Sequence, residues 1–142
     1  MMMTTIAYHH KDKQIAVDSR LVSHGLIRSD LFDKTIRNEF GTWIFCGTAS
    51  DIKDLCKLKH NDNVSVIPNC SALLIADGKC YDVIVNNDGY CEHFEIEHNE
   101  AKGSGSELAL AAMDFGKSAK EAVEYAITRD IYSGGKVRVF DV

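Results

Sequence analysis

The hydrophobic period of this chain switches partway along, and that switch limits the folds open to it. As far as Glu97 the apolar residues mostly alternate with polar ones in short runs; from Ser106 they recur three and four apart; at KVRVFDV the alternation returns. Alternation lines up every second side chain on one face of a strand, whereas spacing of three and four makes a stripe along a helix. TTIAYH and QIAVDSR flank the polar tip HKDK and read as a hairpin, followed by strands LFDKTIR and TWIFC with NEFG between them. TASDIKDLCKLKH sets Ile52, Leu55 and Cys56 at helical spacing, so a short helix starts near Thr48 or Ser50. SALLIAD, KCYDVIVN and YCEHFEIE form a second strand set, an antiparallel meander with turns at DGK and NNDG. Its acidic end, EHFEIEHNE, reads as one solvated strand face. SELALAAMDFG places Leu108, Ala111, Ala112 and Phe115 on one helical face and stops at Gly116. SAKEAVEYAITRD is a second helix, opened by the capping box of Ser118 and Glu121. Two strand sets with helices gathered outside them predict an α+β layered sandwich.

At 142 residues the chain suits a single domain, 1–142, without repeats or linkers. No stretch approaches the ~20 apolar residues of a membrane span. The opening MMMTTIAYHHKDK turns polar too soon for a secretory signal, which points to the cytoplasm. A net charge of −5 with no basic stripe argues against nucleic acid or an anionic membrane as partner. The 5 cysteines form no CxxC pair and suit reduced thiols, with Cys46 and Cys56 in the core. The 6 histidines fall at no compelling ligand spacing, so neither a metal nor a cofactor is expected.

Three features could carry chemistry. In LFDKTIR, alternation puts Lys34 between Phe32 and Ile36 on a core-facing side. Its ammonium must either snorkel to water along an apolar stem or pair with a buried acid. Asp18, at the end of QIAV, is the obvious candidate acid, although a strand-end aspartate also serves in turns. GSGSE precedes a helix and could hold an anion or merely cap it; it lacks the trailing Gly-Lys-Ser/Thr of a phosphate-binding P-loop. RDIYSGG puts an acid and a serine at a helix end, before two glycines that permit a close turn.

Taken together and in order, TTI at 4–6, VDSR at 17–20, Lys34, GTASD at 47–51, GSGS at 103–106 and RDIYSGG at 129–135 resemble the proteasome β-subunit family, including the bacterial HslV peptidases. These are N-terminal-nucleophile (Ntn) hydrolases. The resemblance implies a four-layer αββα sandwich of two antiparallel sheets. It implies Thr4 as nucleophile with Asp18 and Lys34 beside it, and Ser104, Asp130 and Ser133 holding the threonine and its amine. Gly47 would supply the oxyanion-hole amide, and Arg20 falls on the family's structural arginine. Leu21, Phe32, Ile36, Phe45 and Ala49 would line the pocket for the substrate residue before the cut, favouring a hydrophobic side chain. The chemistry is coherent: a free α-amine, with a reference pKa of roughly 7.7–8, can take the threonine proton near neutral pH. A nearby lysine stabilises alkoxide character, and an aspartate keeps the lysine charged.

Two departures stand out. Only NDNVSVIPNC lies between His60 and Ser71, where the family carries a second long helix, so that helix is expected to be reduced or absent. Met1–Met3 precede Thr4 and are expected to be a removable leader. The function implied is a threonine endopeptidase acting on protein or peptide substrates. It would work as a homo-oligomer, a ring of open stoichiometry, with an ATP-dependent unfoldase as possible partner. The alternative is a catalytically silent proteasome-like structural or adaptor subunit that keeps its methionines.

Overall fold

The computed structural model describes residues 3–142. Strands β1 (Ile6–His9) and β2 (Gln14–Val17) form the expected hairpin. A second hairpin, β3 (Leu21–Ser23) and β4 (Leu26–Ser29), turns through His24 and Gly25, both at positive φ. The chain continues as β5 (Thr35–Asn38) and β6 (Gly41–Gly47), then a 3-10 turn over Ala49–Asp51 that leads into α1 (Ile52–Leu55). The meander follows as β7 (Cys70–Ala76), β8 (Lys79–Val85) and β9 (Cys91–Glu95), then β10 (Glu100–Lys102). Helices α2 (Ser106–Asp114) and α3 (Ala119–Ile127) precede the last strand, β11 (Arg138–Asp141).

Beside the two-stranded β3–β4 hairpin, two larger antiparallel sheets result, ordered β10-β1-β2-β11 and β5-β6-β7-β8-β9. Alternation assigns their faces. Ile6, Tyr8, Ile15 and Val17 from the first sheet meet Ile44, Cys46, Leu73 and Cys80 from the second in the layer between them. Each large aliphatic side chain buried there contributes about 1.5–3 kcal/mol relative to exposure. On the first sheet's other face, Ala7 and Ala16 lie under Ala109, Ala112, Ala122 and Ala126 of the helices, small residues that let helix and sheet approach closely. On the second sheet's outer face, Trp43, Phe45, Ala72, Leu74 and Val83 lie under Ile52 and Leu55 of α1. The architecture is the expected αββα sandwich of two antiparallel sheets.

The layer over the second sheet is thin: among the described residues α1 is followed by no second helix, and residues 57–69 run as turns with a single bridge from Asn63 to Tyr90. The short segment NDNVSVIPNC cannot supply one. Three local expectations need correction. Strand β5 begins at Thr35, not Leu31, because Asp33 accepts from both the Thr35 amide and hydroxyl and turns the chain just before it. The run EHFEIEHNE is not one solvated strand: β9 ends at Glu95, and Ile96 then turns into the layer between the sheets. The face α2 buries is Ala109, Ala112 and Met113, whereas Phe115 is 88% exposed, since Phe115 is the residue after the helix and no longer follows its period. The capping box on α3 is formed as expected, Ser118 Oγ accepting from the Glu121 amide at 3.1 Å and Glu121 accepting from the Ser118 amide at 3.0 Å. No helix of the described residues is long and apolar enough to cross a membrane.

Candidate active site

Sheet register brings distant segments of the chain to one point. Pairing of Ile6 with Val17 sets Thr4 and Thr5 beside Asp18, at the end of the first hairpin away from its HKDK tip. Pairing of Ile6 with Lys102 delivers the following GSGS loop to the same end. Pairing of Arg138 with Val17 does the same for the loop of residues 129–135 that precedes β11. Lys34 arrives from the second sheet, where its carbonyl accepts from the Phe45 amide at 3.0 Å.

Thr4, Asp18, Lys34 and Ser133 are all buried, at 3%, 0%, 3% and 0% exposure. Lys34 Nζ donates to Thr4 Oγ1 at 2.7 Å and to Asp18 Oδ1 at 2.8 Å. Asp18 also accepts from the backbone amides of Thr5 (3.1 Å), Arg20 (3.3 Å) and Gly134 (2.9 Å). Both its oxygens are therefore solvated by protein donors, which is what permits a carboxylate to stay buried. Burial pulls the Lys34 ammonium below its usual 10.5, while the attraction and hydrogen bond of Asp18 pull the other way. Of the two outcomes open to Lys34 in the sequence, pairing with a buried acid is the one the fold adopts.

The other side of Thr4 is a second polar chain. The Thr4 backbone nitrogen donates to Ser104 Oγ at 3.2 Å, and Ser104 Oγ donates to Asp130 Oδ2 at 2.6 Å. Ser133 Oγ donates to the same Asp130 oxygen at 2.6 Å and meets Thr5 Oγ1 at 2.7 Å. The GSGSE loop thus meets the threonine backbone through Ser104. Arg20 forms a two-point pair with Asp30, at 2.8 Å and 3.2 Å, and donates to the Ile131 carbonyl at 3.2 Å.

Gly47 closes β6 at φ 107, and a Cβ there would stand 2.5 Å from the Asn69 carbonyl oxygen. Only glycine fits. Strand alternation aims its N–H to the same edge as that of Phe45, the edge where Lys34 lies. A cleft of about 390 Å³ opens here, lined by Met3, Thr4, Leu21, Phe32, Phe45 and Ala49 among others. Ile36 does not line it; it packs against the cluster of Trp43, Phe45 and Leu55. Met1 and Met2 of the expected leader lie outside the described residues, and the Met3 carbonyl accepts from Thr4 Oγ1 at 2.5 Å and Lys34 Nζ at 3.4 Å.

Two contributors escaped the sequence. Thr5 is fully buried between Ser133 and Gly105, where a glycine Cβ would fall 1.9 Å from its hydroxyl oxygen; a polar residue opening an apolar strand was the available signal. Asp30 left none: the Leu21–Ser29 pairing of the β3–β4 hairpin brings it to Arg20, and those strands are too short to show a period. The cysteines are buried thiols, and burial pushes Cys70 and Cys80 up to about 12, so none is a nucleophile near neutral pH.

No protein-family model and no curated protein matches this sequence. Solved structures do resemble it. Thiobacillus denitrificans BPH in complex with epoxomicin has 20% identity and a TM-score of 0.74, covering 98% of each chain. A second structure of Thiobacillus denitrificans BPH has 19% identity and a TM-score of 0.72, covering 98% of this chain and 97% of its own. Eukaryotic HslV from Trypanosoma brucei has 18% identity and a TM-score of 0.69, covering 98% of this chain and 100% of its own. At these identities the likeness is one of fold.

Proposed function

We propose that this chain, whose fold is the HslV type, is a threonine endopeptidase with Thr4 as its nucleophile. The observation that carries this reading is the contact of Lys34 Nζ with both Thr4 Oγ1 and Asp18 Oδ1 inside the protein. A buried lysine donating to a threonine hydroxyl is costly for folding alone and useful for stabilising an alkoxide.

In a chain beginning at Thr4 the nitrogen beside Ser104 is a free amine. It accepts the Oγ1 proton as Oγ1 attacks the peptide carbonyl, with Lys34 stabilising the developing negative charge. The oxyanion lies toward the Gly47 amide. Collapse expels the substrate amine, which takes the proton from the Thr4 ammonium, and leaves an ester on Oγ1. Water, deprotonated by the same amine, hydrolyses the ester. Asp130 and Ser133 act on this sequence by fixing Ser104, which orients the amine. Leu21, Phe32, Phe45 and Ala49 give the cleft an apolar wall suited to a hydrophobic side chain before the cut.

The substrates are proteins or peptides, taken up by a homo-oligomeric cytoplasmic complex, a ring by analogy of fold, served by an ATP-dependent unfoldase; 1–142 is one domain, of which 1–3 is a removable leader. A second reading, a silent structural or adaptor subunit, has one observation in its favour. With Met3 in place the Thr4 nitrogen is an amide, and the Met3 carbonyl takes hydrogen bonds from both Oγ1 and Lys34. Fluorogenic peptides with a hydrophobic residue before the cut separate the two. Protein prepared to begin at Thr4 should hydrolyse them, and protein retaining Met1–Met3 should not. Equal rates from the Thr4 form and its Thr4→Ala counterpart would remove the proposal.

A further inference from the structure

The loop of residues 129–135 carries Asp130, Ser133 and the Gly134 amide, so its position sets three hydrogen bonds at the centre, to Ser104, Thr5 and Asp18. It belongs to neither sheet. Across it lies the Arg20 side chain, so close that a Cβ on Gly134 would stand 2.4 Å from the guanidinium carbon. Arg20 also donates to the Ile131 carbonyl and lines the cleft that holds Thr4. A guanidinium in that place can rotate away unless both faces of its fork are held. Asp30, on the far side, holds Nε and Nη2 together at 2.8 Å and 3.2 Å. The Asp30 backbone contributes as well: its carbonyl accepts from the Lys136 amide at 3.4 Å, and Gly135 passes against it where a Cβ would stand 2.2 Å away.

We propose that Asp30 is a positioning residue for the Thr4 centre, acting by locking Arg20 across the 129–135 loop and thereby fixing Asp130, Ser133 and the Gly134 amide on Asp18. This rests on the peptidase reading for its kinetic consequence, but the lock itself is a property of the fold. Arg20 was expected to be structural; Asp30 is what gives that role its direction. The geometry is that of a bidentate arginine–carboxylate pair, in which orientation is fixed as well as charge. Asp30 is partly solvated, and Arg20 keeps some exposure and its bond to the Ile131 carbonyl when Asp30 is removed, so the chain should still fold.

The test uses Asp30→Ala and Asp30→Asn in protein beginning at Thr4, with peptide kinetics and amide hydrogen exchange read together. The alanine variant should lose about tenfold in kcat with KM within about twofold, because the loss is of alignment and not of substrate contact. The asparagine variant, which keeps one acceptor for Arg20, should fall between the two. Exchange at the Gly134 amide should rise about tenfold in Asp30→Ala. Unchanged kcat and unchanged Gly134 exchange would overturn the proposal, as would an equal effect of alanine and asparagine on a protein that has lost global stability. If even the unaltered protein hydrolyses no peptide, the peptidase reading fails, yet faster Gly134 exchange in Asp30→Ala still supports the lock and unchanged exchange refutes it.

Discussion

Lys34 Nζ lies 2.7 Å from Thr4 Oγ1, although Thr4 precedes β1 of the first sheet and Lys34 precedes β5 of the second. The contact bridges the two sheets. The same ammonium reaches Asp18, so one proton donor serves the hydroxyl and the carboxylate together.

Breaking this pair from its two ends should cost different amounts. Lys34→Met leaves Asp18 with the amides of Thr5, Arg20 and Gly134, so the loss lies near the low end of the range for a broken buried pair, about 3 kcal/mol. Asp18→Ala strands the lysine and those amides at once and should cost about 5 kcal/mol. Urea unfolding of both variants checks the order, and both should abolish peptide hydrolysis.

Activity should depend on pH through two groups. It should rise as the Thr4 amine loses its proton, near its reference range of roughly 7.7–8. It should fall again as Lys34 deprotonates, at a pH below the ordinary lysine value of 10.5, since burial depresses that group. A kcat/KM profile from pH 6 to 11, roughly the span over which both groups titrate, would show both limbs, and Lys34→Met should abolish activity rather than move the alkaline limb.

Stability should decline at alkaline pH for a separate reason. Cys70 and Cys80 titrate near 12 in the fold against 9.0 for an ordinary thiol, so the unfolded chain releases their protons first. Stability held below pH 9.0 is therefore lost as the pH climbs toward their folded values. Lys34 works in the opposite sense, its unfolded form binding the proton more tightly, but it is one group against several thiols. Melting temperatures across this range should fall, and less steeply in Cys80→Ala.

Gly105→Ala should damage the centre without touching a polar residue. The added methyl would stand 1.9 Å from Thr5 Oγ1 and 3.2 Å from Ala126 Cβ, so the GSGS loop must move off Thr4 and carry Ser104 with it. A fall in kcat of about a hundredfold is expected, measured with the same peptides.

Much of this was legible in the residues because it depended on period and order. The Lys34 anomaly is a charge on an apolar face, and such a charge requires a partner whatever the fold. The meander turned at DGK as expected, with Asp77 and Gly78 both at positive φ. What was not legible depended on chain ends and tertiary neighbours. Phe115 fits the stripe of α2 by count, yet it stands just beyond the last turn, and Phe115→Ser should change stability by no more than about 0.5 kcal/mol. The β3–β4 hairpin and β10 are too short to show a period. Thr5 meets Ser133 far along the chain, Asp30 meets Arg20 across a hairpin too short to show a period, and Ile36 packs on the cluster of Trp43 and Leu55 instead of lining the cleft.

The most direct measurement is the intact mass and peptide map of protein verified to begin at Thr4 after exposure to a threonine-directed epoxyketone. The account predicts one adduct per chain, on Thr4, absent from Thr4→Ala and from protein still carrying Met3. An unmodified Thr4 in that verified material, under conditions that leave the protein folded, would contradict it.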